Sequence, residues 1–289
     1  PAGPRPSPAA TAALGKCVGT LSMTDQANES IITARDLGYT YPQPPTPALA
    51  GVTMEVQRGQ FVAVIGPNGS GKTTFVKLLL GLLRPTEGEV LLHGRPAYDA
   101  QGGIHHCFGY VPQHRTVNRQ VPVRVRDVVA MAAHCRYAGQ LGPAAIGRRV
   151  QQSLEMVELA DLAGRPFSAL SGGQQQRALI ARALVVDPLV LIADEPFAAV
   201  DAASSQTITH LLRWLVAEKS VTVLAVVHDI NPLVHSLDRV LLLNTEMVAY
   251  GAPPEVLTAE HLRAAYGRAV PILVCDAGFL HPLTEAQHG

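Results

Sequence analysis

A glycine-rich loop that ends in lysine and two threonines is the stretch of this sequence best suited to chemistry. The run Gly66-Pro67-Asn68-Gly69-Ser70-Gly71-Lys72-Thr73-Thr74 follows the apolar run Phe61–Ile65 and precedes the helical pattern Phe75–Leu83. Its glycines allow successive backbone amides to converge on one concavity, which suits phosphate oxygens. Lys72 supplies a positive charge for the β- and γ-phosphates, and the Thr73 hydroxyl can ligate Mg²⁺. The loop predicts a nucleoside triphosphate site, which kinases, GTPases and motor ATPases share.

Two carboxylates and a histidine stand where two further apolar runs end. Leu189–Ala193 is followed by Asp194 and Glu195, and Val223–Val227 is followed by His228. Ligands of open α/β sheets bind beyond the carboxyl ends of the strands, so we expect these side chains to face the same crevice as the phosphate loop. Asp194 is assigned to Mg²⁺, Glu195 to the water that attacks the γ-phosphate, and His228 to the γ-phosphate and that water.

A second helix start is suited to phosphate. The run Leu170-Ser171-Gly172-Gly173-Gln174 opens the helical stretch Gln175–Val186. Serine is a favoured N-cap residue, and two glycines let a phosphate reach the first amides of the helix. The chain therefore carries two separate phosphate-binding helix starts.

The elements that must position these residues alternate along the chain. Apolar runs predict strands, and amphipathic periodicity predicts helices around Val125–Ala132 and Ile208–Leu215. Continuous apolar strands separated by amphipathic helices indicate a sheet covered on both faces, and therefore an α/β core. The strands are expected at Phe61–Ile65, Glu89–Leu92, Gly109–Val111, Leu189–Ala193, Val221–Val227, Val240–Leu243 and Met247–Tyr250.

Composition limits the class of protein. The 23 Lys and Arg residues balance the 23 Asp and Glu residues, so no global charge draws the chain to nucleic acid. No apolar run approaches the roughly 20 residues of a membrane-spanning helix. Cys17, Cys107, Cys135 and Cys275 form no CxxC pair, so neither a disulfide framework nor a zinc knuckle is indicated. A reducing, cytoplasmic location fits this pattern.

Together these motifs resemble the ATP-binding cassette (ABC) family over roughly residues 31–250. GPNGSGKTT is similar to the Walker A loop of the family, LVLIADEP to its Walker B strand and LSGGQ to its signature. Gln113 in YVPQ resembles the Q-loop glutamine, Asp201 the D-loop acid and His228 the switch histidine. Tyr41 lies where the family keeps an aromatic side chain that stacks on adenine.

The resemblance implies a fold and a division of the chain. We expect a P-loop NTPase (RecA-like) α/β core with an antiparallel β subdomain and an inserted α-helical subdomain at about residues 114–170. This ATPase domain is expected over residues 31–250. A disordered extension would precede it over residues 1–30, and a C-terminal helical segment and tail would follow over residues 251–289.

The resemblance also implies ATP and Mg²⁺ as cofactors, and it indicates which residues would bind them. The ATP-binding residues would be Tyr41, Gly66, Pro67, Asn68, Gly69, Ser70, Gly71, Lys72, Thr73, Thr74, Gln113, Ser171, Gly172, Gly173, Gln174 and Asp201. The Mg²⁺ ligands would be Thr73, Gln113 and Asp194. The catalytic residues would be Glu195, His228 and Lys72.

Partners are implied by the same resemblance. Two copies would sandwich two ATP molecules head to tail, with the LSGGQ of each copy closing on the γ-phosphate held by Lys72 of the other. The helical insert would receive a short helix from a separate membrane permease, which places the chain on the inner face of the cell membrane. The full system would include an extracytoplasmic solute-binding protein and no nucleic acid.

The cargo is indicated by two further stretches. Gly109–Gln113 and the tail Pro253–Thr258 resemble the manganese, zinc and iron importer branch, which implies import of a transition metal ion. An ABC ATPase for another small solute and a soluble, non-transport ABC ATPase stay open as alternatives. No site for the cargo metal is expected in this chain, and the group His105, His106, Cys107 and His114 is interpreted as surface or loop residues.

Overall fold

The computed structural model describes residues 30–98, 107–113, 123–198 and 200–284. Apart from Ser30, the expected N-terminal extension lies outside these residues, as do His105, His106 and His114. The strands are β1 Ser30–Pro42, β2 Pro45–Gln57, β3 Phe61–Ile65, β4 Glu87–Leu92, β5 Arg95–Pro96, β6 Phe108–Val111, β7 Val190–Asp194, β8 Thr222–Val226, β9 Arg239–Asn244, β10 Glu246–Gly251, β11 Ile272–Val274 and β12 Leu280–Pro282. The helices are α1 Lys72–Leu79, α2 Val125–Arg136, α3 Pro143–Met156, α4 Gly172–Leu184, α5 Ala202–Lys219, α6 Pro253–Val256 and α7 Ala259–Tyr266.

Ten of these strands form one sheet, in the order β5-β4-β1-β2-β10-β9-β3-β8-β7-β6. Every neighbouring pair from β9 through β3, β8 and β7 to β6 is parallel. At the other side, β1 pairs antiparallel with both β2 and β4, and β4 pairs antiparallel with β5. The fold is therefore the expected P-loop NTPase α/β fold, with a parallel core and an antiparallel wing.

The strands of the parallel core are buried on both faces because their side chains alternate between two clusters of apolar residues. In β3, Phe61, Ala63 and Ile65 join the cluster that also contains residues of helices α2 to α5. Val62 and Val64 join the opposite cluster, which holds α1 and the antiparallel wing. This double burial confirms the interpretation of continuous apolar runs as strands covered on both faces.

Several elements differ from the sequence-based expectations in extent. The helix after the phosphate loop ends at Leu79 rather than continuing to Leu83. Gly81 adopts a φ of 65°, in the left-handed region that commonly follows a helix end. Strands β1 and β2 were not among the expected strands, because their burial alternates with polar positions and prolines interrupt the pattern.

The C-terminal segment contains more than helices. After α6 and α7, strands β11 and β12 pair antiparallel, with Ile272 opposite Pro282 and Val274 opposite Leu280. Ile272, Phe279 and Leu280 pack against the larger apolar cluster of the parallel core. The tail thus folds back onto the domain as a short hairpin, which the sequence pattern did not reveal.

Truncating the core under α1 tests this packing. Phe75 is fully buried between α1 and the sheet, so Phe75→Ala should lower the free energy of unfolding by about 3–5 kcal/mol through lost burial and a cavity. Leu82→Ala is the matched control, since Leu82 is 63% exposed and its removal should change stability by less than about 0.5 kcal/mol. Urea denaturation followed by circular dichroism measures both. Equal losses for the two variants would contradict the described packing.

Candidate active site

The phosphate loop turns sharply between β3 and α1, and glycine is required at both of its ends. Gly66 has a φ of 151°, and a Cβ there would lie 2.1 Å from the Leu243 carbonyl oxygen. Gly71 has a φ of 93°, and a Cβ there would lie 2.3 Å from the Ala48 carbonyl oxygen. The loop is therefore pressed against β9 and β2, and side chains at these positions would push it out of its cradle.

Lys72 begins α1 and folds back over the loop. Its ammonium group donates to the carbonyl oxygens of Gly66 at 2.7 Å and Pro67 at 2.8 Å. Burial lowers the pKa of Lys72, while the nearby carboxylates of Glu195 and Asp194 oppose that shift. The lysine thus lies at the mouth of the loop, held by carbonyl groups that are weaker partners than a phosphate would be.

Asp194 is the last residue of β7 and lies at the carboxyl edge of the sheet. The hydroxyl of Tyr110, on the neighbouring strand β6, donates to Asp194 Oδ2 at 3.3 Å. Burial raises the pKa of Asp194, and the charge of Glu195 raises it further, whereas the Tyr110 hydrogen bond and the charges of His228 and Lys72 lower it. Burial and the charge of Asp194 raise the pKa of Tyr110 to about 12, so the Tyr110 hydroxyl remains a donor.

Glu195 collects two other site residues around its carboxylate. The Gln113 side-chain amide donates to Glu195 Oε2, and His228 Nε2 lies 2.7 Å from Glu195 Oε1. Glu195 has a φ of 49°, and its amide donates to the Val226 carbonyl at 2.9 Å, which continues the pairing of β7 with β8. This left-handed conformation re-aims the side chain directly after the strand, at a position where non-glycine residues seldom adopt it.

These residues surround one cavity of about 380 Å³. Its lining includes the phosphate loop from Asn68 to Thr74, both carboxylates and His228. Tyr41 closes another side: its hydroxyl lies 3.3 Å from Thr74 Oγ1, and its ring meets Tyr39 edge-on at 4.9 Å between centroids. An aromatic side chain, backbone amides, a lysine and two carboxylates thus meet in one cleft at the carboxyl edge of the sheet.

The residues Ser171, Gly172, Gly173 and Gln174 lie elsewhere. Among the described residues that line the cavity, none comes from this run. Ser171 caps α4 as expected: its hydroxyl accepts from the Gln174 amide at 3.3 Å, while the Gln174 side chain accepts from the Ser171 amide at 3.0 Å. The capped start of α4 is therefore well formed, but it does not line this cavity within one chain.

Gly173 has a structural role that the sequence did not indicate. A Cβ on Gly173 would lie 2.4 Å from the side chain of Ser204, in the first turn of α5. Ser204 in turn donates its amide and its hydroxyl to the Asp201 carboxylate, both at 2.9 Å. These hydrogen bonds lower the pKa of Asp201. Asp201 therefore caps α5 and lies beside the start of α4, outside the cavity lining.

The chemistry of the cavity fits both ATP and Mg²⁺. The loop at Gly66 and Gly71 has space only for backbone, as a phosphate cradle requires, and α1 adds the positive end of its dipole. Thr73 is exposed and lines the cavity together with Asp194, so a hydroxyl and a carboxylate are both available there. Hydroxyl and carboxylate oxygens are the ligands that Mg²⁺ prefers.

The structure brings together most of the candidate residues. Tyr41, the loop residues 68–74, Asp194, Glu195 and His228 share the cavity, and Gln113 joins them through its contact with Glu195. Gly66 and Pro67 are not among the lining residues, but their carbonyls accept from Lys72. Sequence reasoning missed Tyr110 and Ser204, because each acts on a motif residue through a contact across strands or helices.

Comparison with known proteins shows which family this chain is similar to. Residues 49–198 match the family described as ABC transporter. The zinc transport system ATP-binding protein TroB of Treponema pallidum is 40% identical over 253 residues, covering 87% of this chain and 92% of TroB. The manganese transport system ATP-binding protein MntB of Bacillus subtilis is 38% identical over 228 residues, covering 78% of this chain and 89% of MntB.

A solved structure agrees with these matches. The dimeric structure of a bacterial ABC transporter cassette superimposes with a TM-score of 0.68 at 31% identity, covering 77% of this chain and 98% of that chain. Within the described residues, no helix is both long and apolar enough to span a bilayer.

Lys72 gives the most direct test of the cavity. Lys72→Ala should weaken ATP binding by about tenfold to a hundredfold, since a hydrogen bond to a charged group contributes about 1.5–3 kcal/mol. Lys77→Ala, one turn further along α1, is the matched control because Lys77 is not part of the cavity lining. Isothermal titration calorimetry with ATP measures both. An unaltered affinity of Lys72→Ala for ATP would show that the phosphate loop is not part of the ATP-binding site.

Proposed function

This chain belongs to the ABC transporter family of ATP-hydrolysing proteins, and from that premise we propose that it powers the import of a transition metal ion through a separate membrane permease. The observation that carries the cargo assignment is that relatives covering most of this chain are named as zinc and manganese transport ATP-binding proteins. The geometry of the cavity supports ATP hydrolysis as the source of energy for this transport. The cargo itself passes through the permease, and this chain supplies ATP binding and hydrolysis.

In the proposed mechanism, ATP displaces contacts that the site residues make with each other. The β- and γ-phosphates take the Lys72 ammonium group from the carbonyls of Gly66 and Pro67. Glu195 then orients and polarises the attacking water, and His228 turns from Glu195 towards the γ-phosphate. Tyr41, on the side of the cavity beside Thr74, stacks on the adenine ring.

Mg²⁺ belongs to the same proposal. Thr73, Gln113 and Asp194 would hold it, and it would neutralise charge on the β- and γ-phosphates. Tyr110 supports this role because its hydrogen bond favours the ionised form of Asp194 against the effect of burial.

A second copy of the chain completes the site. The cavity and the Ser171-capped start of α4 are each built to receive phosphate, yet they do not meet within one chain. A head-to-tail dimer would place Ser171, Gly172, Gly173 and Gln174 of each copy on the ATP of the other. The contact of Gly173 with Ser204 links this surface to Asp201, which would then lie at the dimer interface.

The remaining parts of the proposal concern the membrane. The helical insert that contains α2 and α3 would dock on the permease, with its exposed arginines Arg124, Arg126 and Arg148 near the lipid headgroups. The chain would lie on the cytoplasmic face of the membrane, and an extracytoplasmic binding protein would deliver the metal.

Copurification and reconstitution test the transport function. The tagged chain is isolated from membranes of its source cells, the copurified integral membrane protein is identified, and the complex is placed in proteoliposomes. ATP-dependent accumulation of Zn²⁺, Mn²⁺ or Fe²⁺, lost in a complex carrying Lys72→Ala, is the expected result. Accumulation of another solute would favour the alternative cargo. Absence of any membrane partner would favour a non-transport ABC ATPase.

Glu195→Gln separates ATP binding from hydrolysis. The amide keeps the shape of the carboxylate but cannot polarise water, so hydrolysis should fall by roughly 10²–10⁴-fold while ATP still binds. The variant should accumulate as an ATP-bound dimer in size-exclusion chromatography. Glu218→Gln, at the exposed end of α5, is the control and should hydrolyse ATP at the parent rate. Parent-level hydrolysis by Glu195→Gln would refute the assignment.

Tyr110→Phe tests the environment of Asp194. Mg²⁺ needs the ionised carboxylate, so a raised Asp194 pKa makes Mg²⁺-dependent hydrolysis fall as the pH drops towards that pKa. Removal of the Tyr110 hydroxyl takes away a hydrogen bond that lowers this pKa. The acid limb of the pH–rate profile should therefore move to higher pH in Tyr110→Phe. A shift to lower pH, or none, would contradict the proposed role.

Mixing two inactive variants tests the shared site. Lys72→Ala removes the lysine of the phosphate loop, and Ser171→Arg blocks the start of α4. Each composite site needs both parts, so a homodimer of either variant has no intact ATP site. A mixed dimer regains one site, built from the loop of the Ser171→Arg chain and the α4 start of the Lys72→Ala chain. With random pairing, up to about a quarter of the parent activity should return. Failure of the mixture to exceed its components would argue against a site shared between chains.

A further inference from the structure

We propose that His235, Cys275 and His281 form a binding site for a borderline transition metal ion such as Zn²⁺, and that the bound ion slows ATP hydrolysis. Their ligand atoms all lie within 4.8 Å of one another. His235 belongs to the short 3-10 helix Val234–Ser236, whereas Cys275 and His281 belong to the C-terminal β11–β12 hairpin. The site therefore joins the tail to the segment that follows His228.

His281 is oriented as a metal ligand. Its Nδ1 lies 3.1 Å from the side-chain oxygen of Asn231, which can only accept, so Nδ1 carries the proton. Its Nε2 is buried and has no hydrogen-bond partner among the residues that the structure describes. A buried, unpartnered nitrogen is costly, and a metal-bound histidine typically donates its other nitrogen to a neighbouring oxygen. The ring is thus held with its free lone pair directed at a site.

The other two ligands are also placed by their surroundings. Cys275 is a partly buried free thiol at the start of the hairpin turn, where its amide donates to Phe279 O at 3.1 Å and its carbonyl accepts from the Gly278 amide at 2.8 Å. The His235 ring packs against the Phe279 ring at 4.3 Å and lies 5.2 Å from the His281 ring, between centroids. Backbone hydrogen bonds and ring packing therefore bring the three ligands together.

The donor set selects the metal. Two imidazoles and a thiolate suit Zn²⁺, at bond lengths of about 2.0–2.1 Å to nitrogen and about 2.3 Å to sulfur. The ligand atoms lie within 4.8 Å of one another, and the side chain of His235 is exposed, so metal binding requires the ligands to move closer to one another by side-chain adjustment. Mg²⁺ and Mn²⁺ prefer oxygen ligands and are disfavoured here. A fourth, tetrahedral position would remain for water.

The same hairpin is hydrogen-bonded to the His228 segment. Thr284 Oγ1 donates to the His228 carbonyl at 3.3 Å, and Asn231 Nδ2 donates to the Pro282 carbonyl at 3.2 Å. In this conformation the three metal ligands are close together, and His228 Nε2 lies 2.7 Å from Glu195 Oε1. A metal ion that binds this conformation preferentially stabilises it, and hydrolysis slows because His228 leaves Glu195 less readily.

The proposed cargo is a metal of the same class, so binding of the transported metal to this site would regulate its own transport. This last step rests on the proposed function, whereas metal binding and its effect on hydrolysis do not. The proposed site differs from the expectation, drawn from the sequence, that no cargo metal binds this chain. Sequence inspection did not reveal it, because His235 lies far from the other two ligands along the chain.

Cobalt binding to the full chain tests the site itself. Co²⁺ should give a thiolate-to-cobalt charge-transfer band and the intense visible bands of tetrahedral coordination, and Zn²⁺ should abolish them. His235→Gln/Cys275→Ser should lose one equivalent of bound metal and the charge-transfer band. His134→Gln/Cys135→Ser, an exposed His-Cys pair on α2, is the matched control and should keep both. A full band in the Cys275→Ser variant, or no band in the parent chain, would overturn the site.

ATP hydrolysis by the isolated chain tests the coupling. A metal buffer holds the concentration of free Zn²⁺ below the concentration of MgATP, which is present in excess. Each hydrolysis rate is divided by the rate of the same protein without Zn²⁺. Saturating Zn²⁺ should slow the parent chain and the His134/Cys135 control by at least about fivefold, the size of a typical coupling between sites. The His235/Cys275 variant and Cys275→Ser alone should be slowed less than twofold, and ATP binding by each confirms folding. Unchanged or faster hydrolysis in the parent chain, or equal slowing in the variants, would overturn the coupling. Metal uptake by proteoliposomes, tested separately, decides the transport function.

Discussion

The sharp turn of the backbone between β3 and α1, where amides can converge on one point, is the constraint on which the proposed phosphate site and the elements around it depend. Amides converge only where the chain turns sharply, and the turn between β3 and α1 needs glycine at Gly66 and Gly71 because neighbouring carbonyls lie too close for a Cβ. A loop of this kind must be held by rigid elements. The doubly buried strand β3 and the apolar face of α1 provide them, so the two-sided core serves the site directly.

Several charged or polar side chains of the cleft are hydrogen-bonded to other groups of the same cleft, either side chains or backbone carbonyls. Lys72 is held by loop carbonyls, Glu195 by Gln113 and His228, and Asp194 by Tyr110. Each pairing offsets the cost of burying a polar or charged group, and each involves a group that the proposed mechanism assigns to nucleotide, water or Mg²⁺. In the proposed mechanism, binding of ATP is therefore an exchange of partners, and the free energy gained is the difference between the contacts to phosphate and these internal contacts. The tail hairpin contacts this network next to His228, where a small bias in conformation can alter that exchange.

Local chain order was enough to predict much of the fold and the site. The parallel strands were expected within one or two residues of their ends, since apolar runs buried on both faces leave a clear pattern. The loop from Gly66 to Thr74 and the N-cap at Ser171 were recognisable because their chemistry depends on consecutive residues. Strands β1 and β2 were less evident, because half-buried strands with prolines carry a weaker periodic signal.

By itself, the sequence determined the loop that we propose binds phosphate and the α/β class of the core, because both follow from neighbours along the chain. Only the tertiary structure decided the contacts between distant residues: Tyr110 on Asp194, Ser204 against Gly173, and the meeting of His235 with Cys275 and His281. It also decided that the α4 start does not line the cavity of its own chain. Such contacts depend on how strands and helices pack, and no spacing in the sequence records that packing.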